Sequence, residues 1–163
     1  MKHYKMVVRF KDRTVIKGQN VDFLPANRFF QFKCFSGNVV TVDMEKLKAI
    51  FFVKSFQGNE QYNYKFEVVI PWGSNKMKID FMDGESIIGY AQHYNCLRHH
   101  VYYSEYGFFV TPADFKGNND RVFVINSAVD KITLLQNTPT NLPINQTAVM
   151  PESTSDETHT WLE

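Results

Sequence analysis

Cysteine is scarce. Cys34 and Cys96 are the only two in 163 residues. Two thiols are too few for the disulfide framework of a small secreted domain. Long apolar runs are also missing. The longest, Ala49 to Val53, holds five residues, against the ~20 that a membrane-spanning helix needs. Met1 to Lys5 leads at once into alternating sequence, with no apolar segment of the secretory kind. Together these absences predict a soluble, cytoplasmic chain with reduced thiols and no membrane partner. Net charge is missing too. There are 18 Lys and Arg against 17 Asp and Glu, a formal balance of +1. Such a chain has no global field to gather nucleic acid or an anionic membrane, although a local patch can exist.

What is present is aromatic. Phe occurs 15 times and Tyr 8 times, a composition that suits pleated, half-buried surfaces. Period-two alternation predicts strands at Lys5–Arg13, Thr14–Phe23, Arg28–Phe35 and Val39–Val42. Asp43 is placed to cap one helical turn, Met44–Lys48. A fifth strand, Ala49–Val53, is apolar on both faces and should be covered on both sides. The clearest alternation lies in Tyr62–Ile70, followed by a turn at Pro71–Asn75 and a strand at Lys76–Asp83. Further strands are predicted at Glu85–Tyr94, His100–Tyr103, Gly107–Thr111, Arg121–Asn126 and Lys131–Leu135. Asn137–Glu163 has no period and too little apolar content to offset its ordering entropy, so a disordered tail is predicted.

Two stretches share the form F-x-D-x-x-x-I-x-G: Phe10 to Gly18 and Phe81 to Gly89. Each reads as a strand, a turn at Asp, and a strand bent at Gly. Leu47, Ile50 and Phe52 are echoed by Val129, Ile132 and Leu134. The second copy then carries about 11 extra residues, all between Tyr90 and Arg121. The fold expected is all-β, two fused small β-barrels from an internal duplication. They span 1–60 and 61–136, with an insertion at about 91–120 and the tail at 137–163. Ala49–Val53 and Val122–Ile125 are the candidate interface between the copies.

The run Leu47-Lys48-Ala49-Ile50-Phe51-Phe52-Val53-Lys54-Ser55-Phe56-Gln57-Gly58-Asn59 resembles a motif of an uncharacterised bacterial family. So does Gly107-Phe108-Phe109-Val110-Thr111-Pro112-Ala113-Asp114 with Gly117-Asn118-Asn119. In that family these motifs flank an F-x-D-G-E-x-x-x-G segment, here Phe81 to Gly89. The resemblance covers roughly residues 5 to 135 and implies no assigned activity. The chain is also similar, more weakly, to Sm-like and SH3-like small barrels. Arg13 stands where the Sm-like turn has Gly, and neither copy shows the paired RNA-binding signature in full.

Two constellations carry chemistry. His93, Cys96, His99 and His100 offer imidazole and thiolate, both good zinc ligands, but the spacing is not that of a structural zinc site. The same residues also suit a polar loop within the insertion. Cys96 beside His93 or His99 could serve as a nucleophile only with an activating base, and nothing in the sequence supplies that setting. The second constellation is basic. Residues 1 to 42 hold eight Lys and Arg against Asp12 and Asp22. Arg9, Lys11, Arg13, Lys17, Arg28 and Lys33 could contact phosphates while exposed Phe or Tyr stack on bases. An ordinary solvated strand face reads the same way. Asp12 and Asp83 are turn formers first. Gly117–Arg121 lacks the Lys and following helix of a phosphate loop and reads as a hairpin turn.

The expectation is therefore a non-enzymatic binding or regulatory module without a cofactor, recognising a protein partner or small ligand. The alternative is RNA or nucleotide binding through the basic first copy. A homo-oligomer is compatible with either.

Overall fold

A computed structural model describes residues 4–57, 74–92, 104–114 and 116–135. Ten strands account for most of it. They are β1 (Lys5–Phe10), β2 (Val15–Asn20), β3 (Phe29–Cys34), β4 (Val39–Asp43), β5 (Leu47–Val53), β6 (Ser74–Phe81), β7 (Ser86–Gln92), β8 (Gly107–Pro112), β9 (Asn119–Ile125) and β10 (Val129–Leu134). Single 3-10 turns, Met44–Lys46 and Asn126–Ala128, precede β5 and β10. The first is capped by Asp43, which accepts from the Glu45 amide. It ends two residues earlier than the sequence predicts, because Leu47 already pairs with Phe10. The strands predicted at Tyr62–Ile70 and His100–Tyr103, and the tail at 137–163, lie outside the described residues.

All pairings are antiparallel, and the order is β10-β6-β7-β8-β9-β5-β1-β2-β3-β4. Two separately closed barrels are not what the pairing gives. β5 and β9 lie edge to edge, Ile50 opposite Phe123 and Phe51 opposite Val122, and this seam merges all ten strands into one open sheet. Their both-faced apolar sequence has its explanation here. Partners in a ladder share a face. Ile50, Phe52 and Phe123 face Met6 and Val8, while Ala49, Phe51, Val122 and Val124 lie on the face of Phe108 and Val110. The core residues Met6, Val8, Phe30, Phe32, Ile50 and Phe123 are fully or almost fully buried on one side, as are Met77, Ile79, Phe108, Val110 and Val122 on the other.

The two halves make the same backbone bonds at corresponding places. Phe10 N–H donates to Thr14 O, and Phe81 N–H to Glu85 O. Arg13 N–H donates to Phe10 O, and Gly84 N–H to Phe81 O, with Arg13 and Gly84 both at positive φ (73° and 86°). Lys11 N–H donates to Lys46 O, and Met82 N–H to Ala128 O. Gly18 and Gly89 are the bend points. A Cβ at Gly18 would lie 2.0 Å from the Lys33 carbonyl oxygen, and one at Gly89 2.6 Å from that of Thr111, so only glycine lets the neighbouring strand approach. The eleven-residue excess also resolves. Gly18 opposes Cys34 and Gly89 opposes Pro112; these glycines differ by 71 positions and their partners by 78. Phe30 opposes Val42 and Phe108 opposes Val124, with offsets of 78 and 82. Seven residues thus enter between β7 and β8, and four between β8 and β9.

Candidate functional site

Lys48 is the one lysine in the run Leu47–Val53, and its side chain is only 3% exposed. A buried ammonium needs acceptors. They come from the β6–β7 turn Asp83-Gly84-Glu85, in the other half of the sheet. Lys48 Nζ donates to Asp83 Oδ2 at 2.5 Å and to Glu85 Oε2 at 2.6 Å. It also sits 4.5 Å from the Phe81 ring centroid. Arg9 on β1 closes the cluster with a fork on Glu85, 2.7 Å to Oε2 and 2.9 Å to Oε1. Such bidentate pairs are the strong, directional ones. Gly84 makes the approach possible, because its positive φ turns the chain between the two carboxylates.

The carboxylates respond to this setting. The hydrogen bond from Lys48 holds the Asp83 carboxyl below the usual range, helped by the Glu85 amide and opposed by burial. Arg9 and then Lys48 do the same for Glu85. Both pKa values are lower folded than unfolded, where Asp is ~3.9 and Glu ~4.3. Their contribution to stability is therefore complete above about pH 5 and is lost as pH falls through the folded values. The melting temperature is expected to fall steeply below about pH 4. In a Glu85→Gln variant that acid-side slope should be shallower. An unchanged slope would mean that Glu85 takes no part in it.

The β1–β2 turn also has an Asp, in a different role. Asp12 Oδ1 accepts from Thr14 N–H at 2.8 Å, and Asp83 Oδ1 from Glu85 N–H at 3.1 Å. Both are turn formers, as read from sequence, and no bond links them among the described residues. Only Asp83 has a lysine.

The basic residues singled out within 1–42 are dispersed over several partners. Arg9 is on Glu85. Lys11 Nζ donates to Glu45 O and Ser127 Oγ, both at 2.7 Å. Lys17 Nζ donates to Phe56 O. Arg28 pairs with Asp43 and Glu45 and lies over Phe29. Arg13 and Lys33 make no side-chain bond among the described residues. The sequence reading missed Lys48 and its acidic partners. A helical turn expected over Met44–Lys48 left Lys48 outside the strand; inside Leu47–Val53, a lone lysine among apolar residues demands a carboxylate.

His93, Cys96, His99 and His100 lie outside the described residues. Among the described residues no group of three or more His, Cys, Asp or Glu side chains could hold a metal ion. None of their helices is long and apolar enough to cross a membrane. No curated protein and no solved structure matches the chain. A model of a family of unknown function, DUF6982, matches residues 2–136, and with most of its length matched the chain belongs to that family.

Proposed function

We propose that the chain is a non-enzymatic binding or regulatory module that recognises a protein partner through Phe35 and the surface around it. Its framework reads as an internal duplication of one small Sm-like or SH3-like β-unit. The backbone hydrogen bonds and strand register that recur in both halves support that reading. The halves differ in surface. Among the described residues eleven large apolar side chains are exposed and eight of them lie between Tyr4 and Val40, which favours the first half as the recognition surface.

The observation that carries the reading is Phe35. It is 82% exposed and meets the Phe56 ring edge-on at 5.8 Å. An aromatic held in water at the tip of the β3–β4 hairpin is poorly used by the fold, whereas aromatic anchors dominate protein interfaces. Lys17 lies beside the pair, its backbone carbonyl accepting from Phe35 N–H and its ammonium donating to Phe56 O. This setting also favours a second reading, single-stranded RNA or a nucleotide, with Phe35 stacking on a base and Lys17 and Lys33 near phosphate.

A benzophenone side chain placed at position 35 tests both. It is expected to give a discrete, protease-sensitive adduct in cells. The same group at Met82, which is 71% exposed on the second half, should give none. A nuclease-sensitive adduct, with salt-dependent retention on single-stranded RNA, moves the assignment to RNA. Equal labelling from positions 35 and 82 would reject both readings.

A further inference from the structure

The seam inside the chain joins two edges that the chain also presents at its ends. β5 uses its outer edge to pair with β9. The strand corresponding to β5 in the second half is β10: Val8 opposes Ile50 and Met6 opposes Phe52, just as Ile79 opposes Ile132 and Met77 opposes Leu134. The strand corresponding to β9 in the first half is β4: Phe30 opposes Val42 just as Phe108 opposes Val124. β10 and β4 are the two end strands of the sheet. No described strand pairs with the outer edge of either. Among the described residues each molecule therefore carries one unpaired copy of each edge that meets at its own seam.

We propose that β4 of one molecule pairs antiparallel with β10 of a second molecule, reproducing the β5–β9 seam between chains. Transferring the seam register places Val39 opposite Leu134, Val40 opposite Thr133, Thr41 opposite Ile132 and Val42 opposite Lys131. These follow from Arg121 opposite Phe52, Val122 opposite Phe51, Phe123 opposite Ile50 and Val124 opposite Ala49.

The β4 side chains agree with this occupant, and Lys131 is the one charge that β10 brings to the ladder. β4 reads Val-Val-Thr-Val before Asp43, an edge without the lysine, proline or inward charge that usually blocks edge-to-edge pairing. Val39 points away from its own core, and its seam counterpart Arg121 points towards the first-half core, over the Phe52 and Phe109 rings at 5.3 Å and 3.9 Å. Val39 is 57% exposed and Leu134 49%. At the seam the counterpart of Leu134, Phe52, is buried. Unlike edges in contact make a heterologous interface, so each added molecule fills one edge and offers another. The products are rings or open filaments. The proposal concerns the sheet edges and does not depend on Phe35 or on the partner it binds.

Sedimentation velocity of the full chain, from low micromolar to hundreds of micromolar, is the first test. Assemblies larger than the monomer are expected to grow with concentration. A chain that stays monomeric throughout overturns the proposal, as it would if another segment of the same chain covered either edge. Val39→Lys and Leu134→Lys each place a charge on one edge and should weaken self-association at least about tenfold. Mixing is the decisive measurement. Val39→Lys retains an intact β10 and Leu134→Lys an intact β4. Each variant alone should be monomeric, and the mixture should form a one-to-one dimer and nothing larger. Assembly that survives both substitutions, or a mixture that remains monomeric, overturns the proposal. Val39→Lys combined with Leu134→Glu in one chain should restore self-association, a result that misfolding at either position would not give.

Discussion

Phe123→Ala is expected to lower the stability of the protein by about 4 kcal/mol, within the range for deleting a buried Phe side chain. Phe123 is completely buried on β9 at the seam. It stands opposite Ile50 of β5 and meets the rings of Phe109 at 4.9 Å and Phe23 at 5.4 Å, both edge-on. Truncation removes the transfer energy of the ring and leaves a cavity whose walls are tied to two hydrogen-bonded strands, so they cannot collapse inward. Phe123→Leu keeps most of the volume and should cost roughly 1–2 kcal/mol. Urea unfolding of the two variants measures both. A loss below about 1 kcal/mol for the alanine variant would show that the seam is loosely packed. Because the buried residues of both halves form one cluster, the transition should remain a single one in every variant.

Lys48→Ala should cost about 2 kcal/mol, from the hydrogen bonds lost to two partly solvated carboxylates and from the lost packing of the buried lysine stem. Asp83 Oδ2 and Glu85 Oε2 would face one another with no cation between them, and the lysine stem would no longer cover Phe81. Lys48→Met separates these two losses. Methionine restores most of the stem, Asp83 and Glu85 both reach water, and Arg9 still holds Glu85. Its cost should be no more than about half that of alanine, since an apolar residue of similar volume often replaces a buried charge with little loss. Equal destabilisation by methionine and alanine would show that the ammonium itself, not the packing of its stem, holds the Asp83–Glu85 turn in place. Thermal unfolding at neutral pH distinguishes these cases.

The strands were legible in the sequence because their information is local. Lys5–Phe10 alternates, Asp12 and Asp83 turn, and Gly18 and Gly89 bend, each for a reason that spans a few residues. The both-faced apolar pattern of Ala49–Val53 and Val122–Ile125 marked the two strands that meet at the seam. The sheet order was less accessible. Whether an apolar edge closes on its own half or joins the other half depends on residues far apart in the chain, and no period records that choice. The charged cluster was hidden for the same reason. Lys48 reads as one polar break in an apolar run, and its partners lie 35 and 37 positions away in sequence. The basic stripe was visible as composition, but the pairing of Arg9, Lys11, Lys17 and Arg28 with acceptors inside the chain appears only once the fold brings those acceptors near.

The seam also sets the order in which the chain can fold. The β1–β2, β3–β4 and β6–β7 ladders join neighbouring segments, whereas β5 and β9 pair residue 50 with residue 123. Loop-closure entropy makes the distant pairing the slow one, and topologies dominated by such contacts fold in milliseconds to seconds. During synthesis β5 leaves the ribosome well before β9 exists. For that interval the Ala49 and Phe51 face of β5 and its outer edge lack their β9 partner, so the nascent first half passes through a window in which chaperones or other nascent chains can reach it.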